Sequence, residues 1–261
     1  MTTKNSQKIE LFGLLNFPLV RPGDDIASLI IDSCKKNNLE IKDQDIIVIT
    51  QKIISKSESR YRILSQVKPG FRAYYYSLIS GKDPRFVQLV LNESNRVLRA
   101  KKNTLIVEQK NGFICANAGI DHSNTDPQSD NNEETYLLLP KNPDLSSANI
   151  RHKIELELHK QIGVLIIDSH GRAWRNGTIG MTIGISGIPG LVDLRGNEDL
   201  FGFKLKVTMV AASDELAAGA SLLMGQSKEG IPVVIARGFP YKLREGKMSE
   251  LIRPKNEDLF R

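Results

Sequence analysis

The sequence predicts an α+β protein, in which helices and strands are mixed along the chain without a regular βαβ alternation. Short apolar runs of strand length alternate with stretches that carry apolar residues at helical spacing. The 261 residues contain no internal repeat and no linker-like stretch. We therefore predict a single unit, residues 1–261, whose length is sufficient to bury one large core or two smaller ones.

The first elements are an apolar stretch, a helix and a strand. Residues 9–20 are mostly apolar and lead to Asp24, a suitable helix N-cap because its side chain can accept a backbone hydrogen bond. The helix is expected to end near Asn37. Residues 45–49 predict a short buried strand that ends at Thr50. Four apolar residues share one face of the helix: Ile26, Leu29, Ile30 and Cys34.

The middle of the chain adds a helix, two strands and a loop. Asp83 followed by Pro84 predicts a helix start, because proline is tolerated in the first turn. Residues 104–107 and 112–116 predict two strands joined by a short turn. Residues 122–134 are rich in Asn, Asp, Ser and Thr and predict an exposed loop, a type of segment that often carries function.

Another helix and strand follow. Asp144 is the predicted N-cap of a helix that extends to about Gln161, and residues 164–167 predict a buried strand. The segment 168–196 is rich in glycine. We predict that it is irregular, with backbone in special conformations or in close contact with another group.

The last elements are two strands, a helix and a tail. Residues 204–210 alternate as a strand does, and Ser213 is the predicted cap of a helix that ends at Gly225. Residues 232–236 predict a final buried strand. The polar residues 242–261 are expected to form a loosely ordered tail.

The composition is that of an ordinary globular protein, with 40% hydrophobic and 25% charged residues. The net charge is +6, but its densest run, residues 242–247, contains only three basic residues and one acidic residue. A nucleic-acid-binding surface normally concentrates positive charge. We therefore predict no nucleic-acid partner; an enzyme that handles phosphates and carboxylates accounts for the charge equally well.

Targeting and redox signals are absent from the sequence. The N-terminus is polar, and no apolar run approaches the roughly 18 residues that a membrane span requires. Cys34 and Cys115 lie among apolar neighbours and match no disulfide or zinc pattern. We expect a cytoplasmic protein without membrane association and with two buried thiols.

Familiar nucleotide-binding motifs do not fit. A P-loop requires two glycines separated by four residues and then Lys. Gly219 and Gly225 are separated by five residues, and Gln226 occupies the Lys position. The chain also lacks a G-x-G-x-x-G after a strand, a G-x-S-x-G elbow and an H-E-x-x-H pair.

Two aspartates at strand ends are candidate metal ligands. Asp121 and Asp168 each follow an apolar run, and carboxylates in such places are typical of magnesium or manganese sites. The alternative is that each aspartate only caps a turn. His122 and His170 adjoin them and suggest a general base, but the pattern lacks the further ligands of a zinc site.

Basic residues in two segments of the sequence have two interpretations. Lys52 and Lys56 are four residues apart, so a helix would place both ammonium groups on one face. Such charges repel unless an anion lies between them, and the pair predicts either a phosphate contact or two solvated lysines. Arg172 and Arg175 are further candidates for phosphate or carboxylate recognition.

Seven segments in the same order resemble one family, the coenzyme F420-0:L-glutamate ligases, also called F420-0 gamma-glutamyl ligases. The resemblance extends from about residue 11 to residue 240. Each segment alone is a weak signal, whereas seven in order are specific. The segments are FPLVRPGDD (17–25), TQKIISK (50–56), ANAGID (116–121), DSHGRAWR (168–175), DLRG (193–196), DELA (214–217) and MGQSKEGIPVV (224–234).

The resemblance implies an activity and an architecture. Members of the family add L-glutamate through a gamma linkage to F420-0 and consume GTP. They use Mg²⁺ or Mn²⁺, and K⁺ stimulates characterised members. The implied fold is an unusual mixed α and β ligase architecture that forms an intertwined homodimer.

The resemblance also assigns residues. The implied metal-binding residues are Asp121, Asp168, Ser169 and Gln226. The implied nucleotide-binding residues are Phe17, Pro18, Leu19, Val20, Gln51, Lys52, Lys56, Asn124, Met224, Gly225, Gln226, Ser227, Lys228, Glu229, Gly230 and Ile231. The predicted catalytic set is Asp121, Asp168 and Lys56, in which the aspartates position metal and Lys56, with Lys52, stabilises phosphate charge.

Some positions depart from the family pattern. Ser169 replaces a usual threonine, His170 a usual phenylalanine and Ser59 a more frequent glycine, while His122 stands where a small or acidic residue is usual. These changes leave the phosphate chemistry in place and the acceptor open. Two alternatives therefore remain: a ligase that glutamylates a different acidic cofactor, and a nucleotide-binding regulatory protein without turnover.

Overall fold

The fold is mixed α and β in a computed structural model that describes residues 7–122 and 134–259. The strands of this part of the chain are β1 (Glu10–Gly13), β2 (Ile46–Thr50), β3 (Tyr61–Ile63), β4 (Ser94–Lys101), β5 (Thr104–Gln109), β6 (Ile114–Ala116), β7 (Thr135–Leu137), β8 (Gly163–Arg172), β9 (Arg175–Ser186), β10 (Val192–Asp193), β11 (Met209–Val210) and β12 (Val233–Arg237). The helices are α1 (Ile26–Lys36), α2 (Gln51–Ser57), α3 (Phe71–Ser80), α4 (Pro84–Asn92), α5 (Pro143–Leu158) and α6 (Ala212–Met224).

A five-stranded sheet with the order β1-β12-β2-β8-β9 forms the centre of the molecule. β2 and β8 are parallel, and the other neighbours are antiparallel. Both faces of the sheet are covered. Ile47 and Ile49 belong to the apolar core that includes α1 and α5, whereas Ile46 and Val48 belong to the core that includes α6. Burial on both faces explains why β2 and the first half of β8 have nearly continuous apolar sequences.

A smaller layer lies beside this sheet. β4, β5 and β6 form a three-stranded sheet, and its apolar face packs with α4 around Leu105, Val107 and Val90. The prediction of a helix at Pro84 is confirmed: Asp83 accepts a 2.7 Å hydrogen bond from the backbone N–H of Arg85. The predicted strand pair in residues 104–116 is confirmed as well, with different bounds.

The cap of α1 is Asp25 and not the predicted Asp24. Asp25 accepts a hydrogen bond from the backbone N–H of Ala27, whereas Asp24 accepts one from the backbone N–H of Arg21. Asp24 therefore closes the preceding turn, and the helix begins one residue later. Adjacent aspartates can fill either role, so sequence alone does not separate them.

The predicted caps of the later helices are also wrong. Asn142 caps α5, and Asp144 instead accepts hydrogen bonds from the backbone N–H groups of Ile185 and Met248. Asp144 therefore joins the helix to β9 and to the C-terminal segment. Ser213 lies inside α6 and is buried. That helix does end at Gly225, as predicted.

The glycine-rich segment 168–196 is regular in large part, contrary to prediction, because β8 and β9 extend through it as an antiparallel hairpin. Its glycines allow close packing. A Cβ atom at Gly180 would lie 2.5 Å from the carbonyl oxygen of Ala217 in α6. A Cβ atom at Gly184 would lie 2.6 Å from the carbonyl oxygen of Pro143 in α5. The prediction of a close approach is therefore confirmed, and the contacting groups are helix backbones.

Two further expectations differ from the structure. In the predicted strand 204–210, only Met209 and Val210 pair as a strand, with β10. The expected loose tail is packed over much of its length. Met248 is buried, and Glu250 forms a 2.7 Å ion pair with Arg244 and accepts a hydrogen bond from the backbone N–H of Leu191.

None of the helices in the described residues is long and apolar enough to cross a bilayer.

Gly180→Ala should destabilise the protein by about 1–3 kcal/mol, because the new methyl group collides with the α6 backbone. Urea denaturation followed by circular dichroism measures this change. Gly171→Ala is the matched control in the same hairpin, since no atom lies within 4 Å of its Cβ position. Equal stabilities of the two variants would contradict the packing argument.

Candidate functional site

The topology of the central sheet brings several family segments to one edge. β2 and β8 are parallel with Thr50 beside Ile167, so Gln51 and Asp168 follow at the same edge. β12 begins there and β1 ends there, because both strands are in register with this pair. Residues 17–20, which follow β1, and residues 224–231, which precede β12, are consequently attached to the same edge. Strand pairing thus gathers segments that are far apart in sequence.

Asp121 is held by a buried glutamine. Gln51 is the first residue of α2 and is fully buried. Its Nε2 atom donates a 2.6 Å hydrogen bond to Oδ2 of Asp121, and its Oε1 atom accepts one of 2.8 Å from the hydroxyl of Ser55. The backbone of Asp121 also pairs with Leu137 in both directions. These contacts fix the carboxylate next to the end of β2.

Negative charge exceeds positive charge around Asp121. The Nζ atom of Lys52 lies 3.1 Å from Oδ2 of Asp121. Burial, and then the nearby charge of Asp168, raise the pKa of Asp121 above its ordinary value, although Lys52 and Gln51 act in the opposite direction. Two carboxylates therefore share a poorly solvated region with an incomplete supply of positive charge.

Asp168 lies on β8 and pairs with His170. Side chains alternate along a strand, so these residues share one face, and Nε2 of His170 lies 2.9 Å from Oδ2 of Asp168. The buried imidazole ring also packs on Phe113, with ring centroids 5.3 Å apart. Burial, and then the charge of Asp168, raise the pKa of the Cys115 thiol above its usual range. Cys115 is therefore a buried neighbour of the carboxylate whose thiol form is favoured by its surroundings.

The Ser169 hydroxyl is not brought to Asp168. Ser169 lies between Asp168 and His170 on the same strand, is exposed, and directs its side chain to the opposite face. Within the described residues, no three His, Cys, Asp or Glu side chains are grouped so that they could hold a metal ion. Two carboxylates remain, a number that suits Mg²⁺ when substrate phosphates and waters complete its coordination.

In the segment 224–231, Met224 ends α6, Met224 and Ile231 pack against the core, and residues 226–230 form an exposed loop at this edge of the sheet. The carbonyl of Pro232 accepts a 2.9 Å hydrogen bond from the backbone N–H of Thr50, which ties the end of the loop to the end of β2. Glu229 accepts a hydrogen bond from the backbone N–H of Ser227. Gln226 is exposed, and among the described residues no hydrogen bond joins it to Asp121 or Asp168.

The other predicted nucleotide contacts divide into buried and exposed groups. Phe17 and Val20 pack against the core, whereas Pro18 and Leu19 face solvent. Lys56 is half-buried, one helical turn after Lys52. Asn124 lies outside the described residues. The core positions support the segment, and the exposed ones are available to a ligand.

Three further residues singled out from the sequence, Arg172, Arg175 and His122, differ in their burial and contacts. The Nη1 atom of Arg172 is buried and has no hydrogen-bond partner in the described part of the chain, whereas Arg175 is exposed. An unpaired buried guanidinium N–H group favours an anionic ligand. His122 is exposed, and its ring packs on Tyr136 with centroids 4.9 Å apart. His122 therefore faces a different neighbour from the buried His170.

The sequence does not predict one further feature, a pocket next to His170. Its polar wall includes Thr182, Asp214 and Arg253. These residues come from a strand, a helix and the C-terminal segment, so no local motif signals their proximity. The only sequence signal is that Asp214 begins the segment DELA.

Comparison with known proteins gives one consistent family. The model of the F420-0:Gamma-glutamyl ligase family matches residues 14–238. A coenzyme F420:L-glutamate ligase of Methanococcus maripaludis is 45% identical over 97% of this chain and 98% of its own length. Proteins with the same name from Methanocaldococcus jannaschii (43%; 99% of each chain) and Methanothermobacter thermautotrophicus (40%; 97% of this chain and 99% of its own) are also similar.

Gln51→Leu should destabilise the fold by about 1–3 kcal/mol, because it leaves Ser55 and Asp121 without a buried partner. Ser55→Ala removes one weaker contact and should cost about 1 kcal/mol. The double variant should lose less than the sum of the two, since the hydroxyl that Gln51→Leu leaves unpaired is then absent. Denaturant titration of all four proteins measures the coupling, and strictly additive losses would show that the two side chains do not act together.

Proposed function

The chain belongs to the F420-0:gamma-glutamyl ligase family, and from that premise we propose that it joins L-glutamate to coenzyme F420-0 at the expense of GTP. The relatives named above carry the coenzyme F420:L-glutamate ligase name over almost their whole length. The observation that supports this function most directly is the carboxylate pair, Asp121 and Asp168. Gln51 and Lys52 hold its first member at the edge where the family segments meet.

A divalent cation fits this pair. Burial and mutual repulsion disfavour two ionised carboxylates, and a bound Mg²⁺ or Mn²⁺ would relieve that repulsion. Asp121 and Asp168 are hard oxygen ligands of the kind that such ions prefer. When bound, the cation would neutralise charge on the nucleotide phosphates. Gln226 lies on the exposed loop at the same edge, and Ser169 would have to contribute through its backbone.

Basic side chains of the site suit the anionic nucleotide. The ammonium group of Lys52 forms an ion pair with the carboxylate of Asp121, and Lys56 follows one turn later on α2. We assign both to phosphate binding, where fixed ammonium groups stabilise the charge that develops during phosphoryl transfer. The buried Nη1 atom of Arg172 is a further donor for a phosphate or carboxylate oxygen.

The proposed reaction proceeds in two steps through an acyl phosphate. First, a carboxylate oxygen of the acceptor attacks the γ-phosphorus of GTP, the bond from that phosphorus to the β–γ bridging oxygen breaks, and GDP leaves. Second, the neutral amine of L-glutamate attacks the acyl carbon, phosphate leaves, and the nitrogen loses a proton as the amide forms. The protein supplies positions and charges for both steps, which is the usual protein contribution to phosphoryl transfer.

A second candidate acceptor is an acidic cofactor other than F420-0. His122 and His170 replace the usual family residues, and His170 contacts Asp168 directly. Mass spectrometry of reactions with F420-0, folate and pterin acceptors separates the two candidates. A protein that binds GTP and metal tightly but releases no phosphate with any acceptor would instead be a regulatory homologue.

Asp121→Asn and Asp168→Asn should each lower the rate of glutamylated product formation by about 10²–10³-fold, because each removes a charge that positions the cation. Liquid chromatography with mass detection measures the product, and melting curves with Mg²⁺ and GTP measure binding. Mg²⁺ and GTP together should raise the melting temperature of the wild type and of neither variant. Asp32→Asn, on the exposed face of α1, is the control and should behave as the wild type. Full activity in either site variant would refute the assignment.

We further propose a homodimer, as in the family. Residues 194–208, between β10 and β11, form a hairpin arm that is held by the backbone pairing of Glu198 with Lys204. Apolar side chains at its tip are not packed against the described part of the chain: Leu200 is 98% exposed and Phe201 is 94% exposed. Exposed apolar surface of this kind favours a protein partner, and a second copy of the chain is the occupant that the family implies.

Phe201→Asp should convert the dimer to a monomer, because it places a charge in the apolar contact. Size-exclusion chromatography with light scattering measures the mass. Leu222→Asp is the matched control, since Leu222 is 84% exposed on α6, outside the arm. A monomeric wild type, or a dimer unchanged by Phe201→Asp, would exclude this contact.

A further inference from the structure

A small pocket of about 180 Å³ lies beside the edge strand β9. Its walls come from the turn between β5 and β6, from the β8–β9 hairpin, from the start of α6 and from the C-terminal segment. That segment is fixed in place by the buried Met248 and by the hydrogen bonds that its backbone donates to Asp144. The pocket is therefore part of the fold and not a gap in a mobile surface.

The pocket shares a wall with the proposed reaction site. The ring of His170 lines the pocket, and Nε2 of the same ring lies 2.9 Å from Oδ2 of Asp168. Met181, the cross-strand neighbour of Asp168, lines the pocket as well, so two residues of the pocket wall adjoin the carboxylate. This position suits a molecule that reacts next to Asp168 but is not the nucleotide.

The volume of the pocket restricts the class of ligand that it can hold. Pockets for drug-sized molecules have volumes of roughly 300–1,000 Å³. The volume here is smaller, so neither a nucleotide nor a multi-ring cofactor fits inside, whereas a single small metabolite does. Phe113, Met181 and Leu251 supply apolar walls that would contact a short carbon chain.

The polar groups of the pocket suit an ammonium group. Thr182 is 5% exposed, and its Oγ1 atom is buried with no hydrogen-bond partner in the described part of the chain. The backbone N–H of Thr182 donates a 2.9 Å hydrogen bond to Oδ1 of Asp214. A carboxylate accepts several hydrogen bonds, so Asp214 can accept another. A buried hydroxyl oxygen beside a carboxylate is an acceptor pair for a cationic N–H donor.

The remaining charges favour the same ligand class. Arg253 is exposed and lines the pocket, where its guanidinium can bind a carboxylate. Asp258 is a second carboxylate of the lining. Two carboxylates and one guanidinium disfavour a phosphate or a lone carboxylate in the interior, and they favour a ligand that carries an ammonium group inward and a carboxylate outward.

We propose that this pocket binds the amino-acid co-substrate, with its ammonium group between Asp214 and Thr182 and its α-carboxylate directed to Arg253. The inference rests on the proposed ligase function and names L-glutamate as the ligand. The carbon chain then packs on the apolar walls, among which Met181 is the cross-strand neighbour of Asp168.

Steady-state kinetics of the full chain test the proposal. Asp214→Asn keeps an oxygen acceptor for the Thr182 N–H but loses the charge, so the KM for L-glutamate should rise about tenfold, the loss expected for one charge-assisted hydrogen bond. Thr182→Val should raise it by about threefold or more, and Thr182→Ser, which keeps the hydroxyl, should leave it unchanged. The KM values for GTP and the acceptor should stay within about twofold. A higher KM for the acceptor alone, or no change in any KM, would overturn the proposal.

Calorimetry with L-glutamate separates failure of this inference from failure of the proposed function, because it needs no turnover. Binding that Asp214→Asn weakens about tenfold supports the pocket even if no acceptor is glutamylated. Glutarate has both carboxylates but no ammonium group, so it should bind the wild type more weakly than L-glutamate does, and Asp214→Asn should reduce that difference. The absence of L-glutamate binding, or equal binding of both ligands to the wild type, would overturn it.

Discussion

The pairing register of β2 in the central sheet is the constraint on which the rest of the structure depends. β2 lies between the parallel β8 and the antiparallel β12, and Thr50 is level with Ile167. Because both faces of β2 are apolar, the register is opposed to a shift by the close packing of its side chains in the two cores. A shift would also separate the buried carboxylate of Asp45, which precedes β2, from Arg237 of β12, 2.6 Å away. The same register places Gln51 and Asp168 next to each other, so core packing and site geometry are one requirement.

Gln51 transmits this register to a distant part of the chain. Because it is fully buried at the start of α2, its amide must find partners, and it finds Asp121 and Ser55. Asp121 is thereby held near Asp168 although 47 positions separate them in sequence. The resulting carboxylate pair is unfavourable by itself, since burial and repulsion raise the pKa of Asp121. That imbalance is the physical basis for proposing a cation and an anionic nucleotide at this edge.

The lateral edge of the sheet at β9 is covered, and this cover forms the pocket that we propose for the amino acid. β9 is an edge strand, and the C-terminal segment packs beside it and is anchored by Asp144. An edge strand that is covered does not pair with other chains. The pocket between this segment and the hairpin adjoins the carboxylate site through His170 and through Met181, the cross-strand neighbour of Asp168. Proposed nucleotide and amino-acid sites therefore share a wall while remaining chemically distinct.

The sequence by itself determined the mixed α and β class, the cap at Asp83 and the buried strands, because these depend on local patterns of polarity and turn residues. It predicted Asp121 and Asp168 at strand ends, whereas Asp168 lies inside β8 and Asp121 lies beyond the end of β6. It also placed the chain in its family, through seven segments in order. Only the tertiary structure decided that Asp25 and not Asp24 caps α1, that Asp144 joins three elements, and that the glycines of β9 admit helix backbones. It also decided that Ser169 faces away from Asp168 and that Thr182, Asp214 and Arg253 share one pocket. These facts depend on contacts between residues far apart in the chain, which no local pattern records.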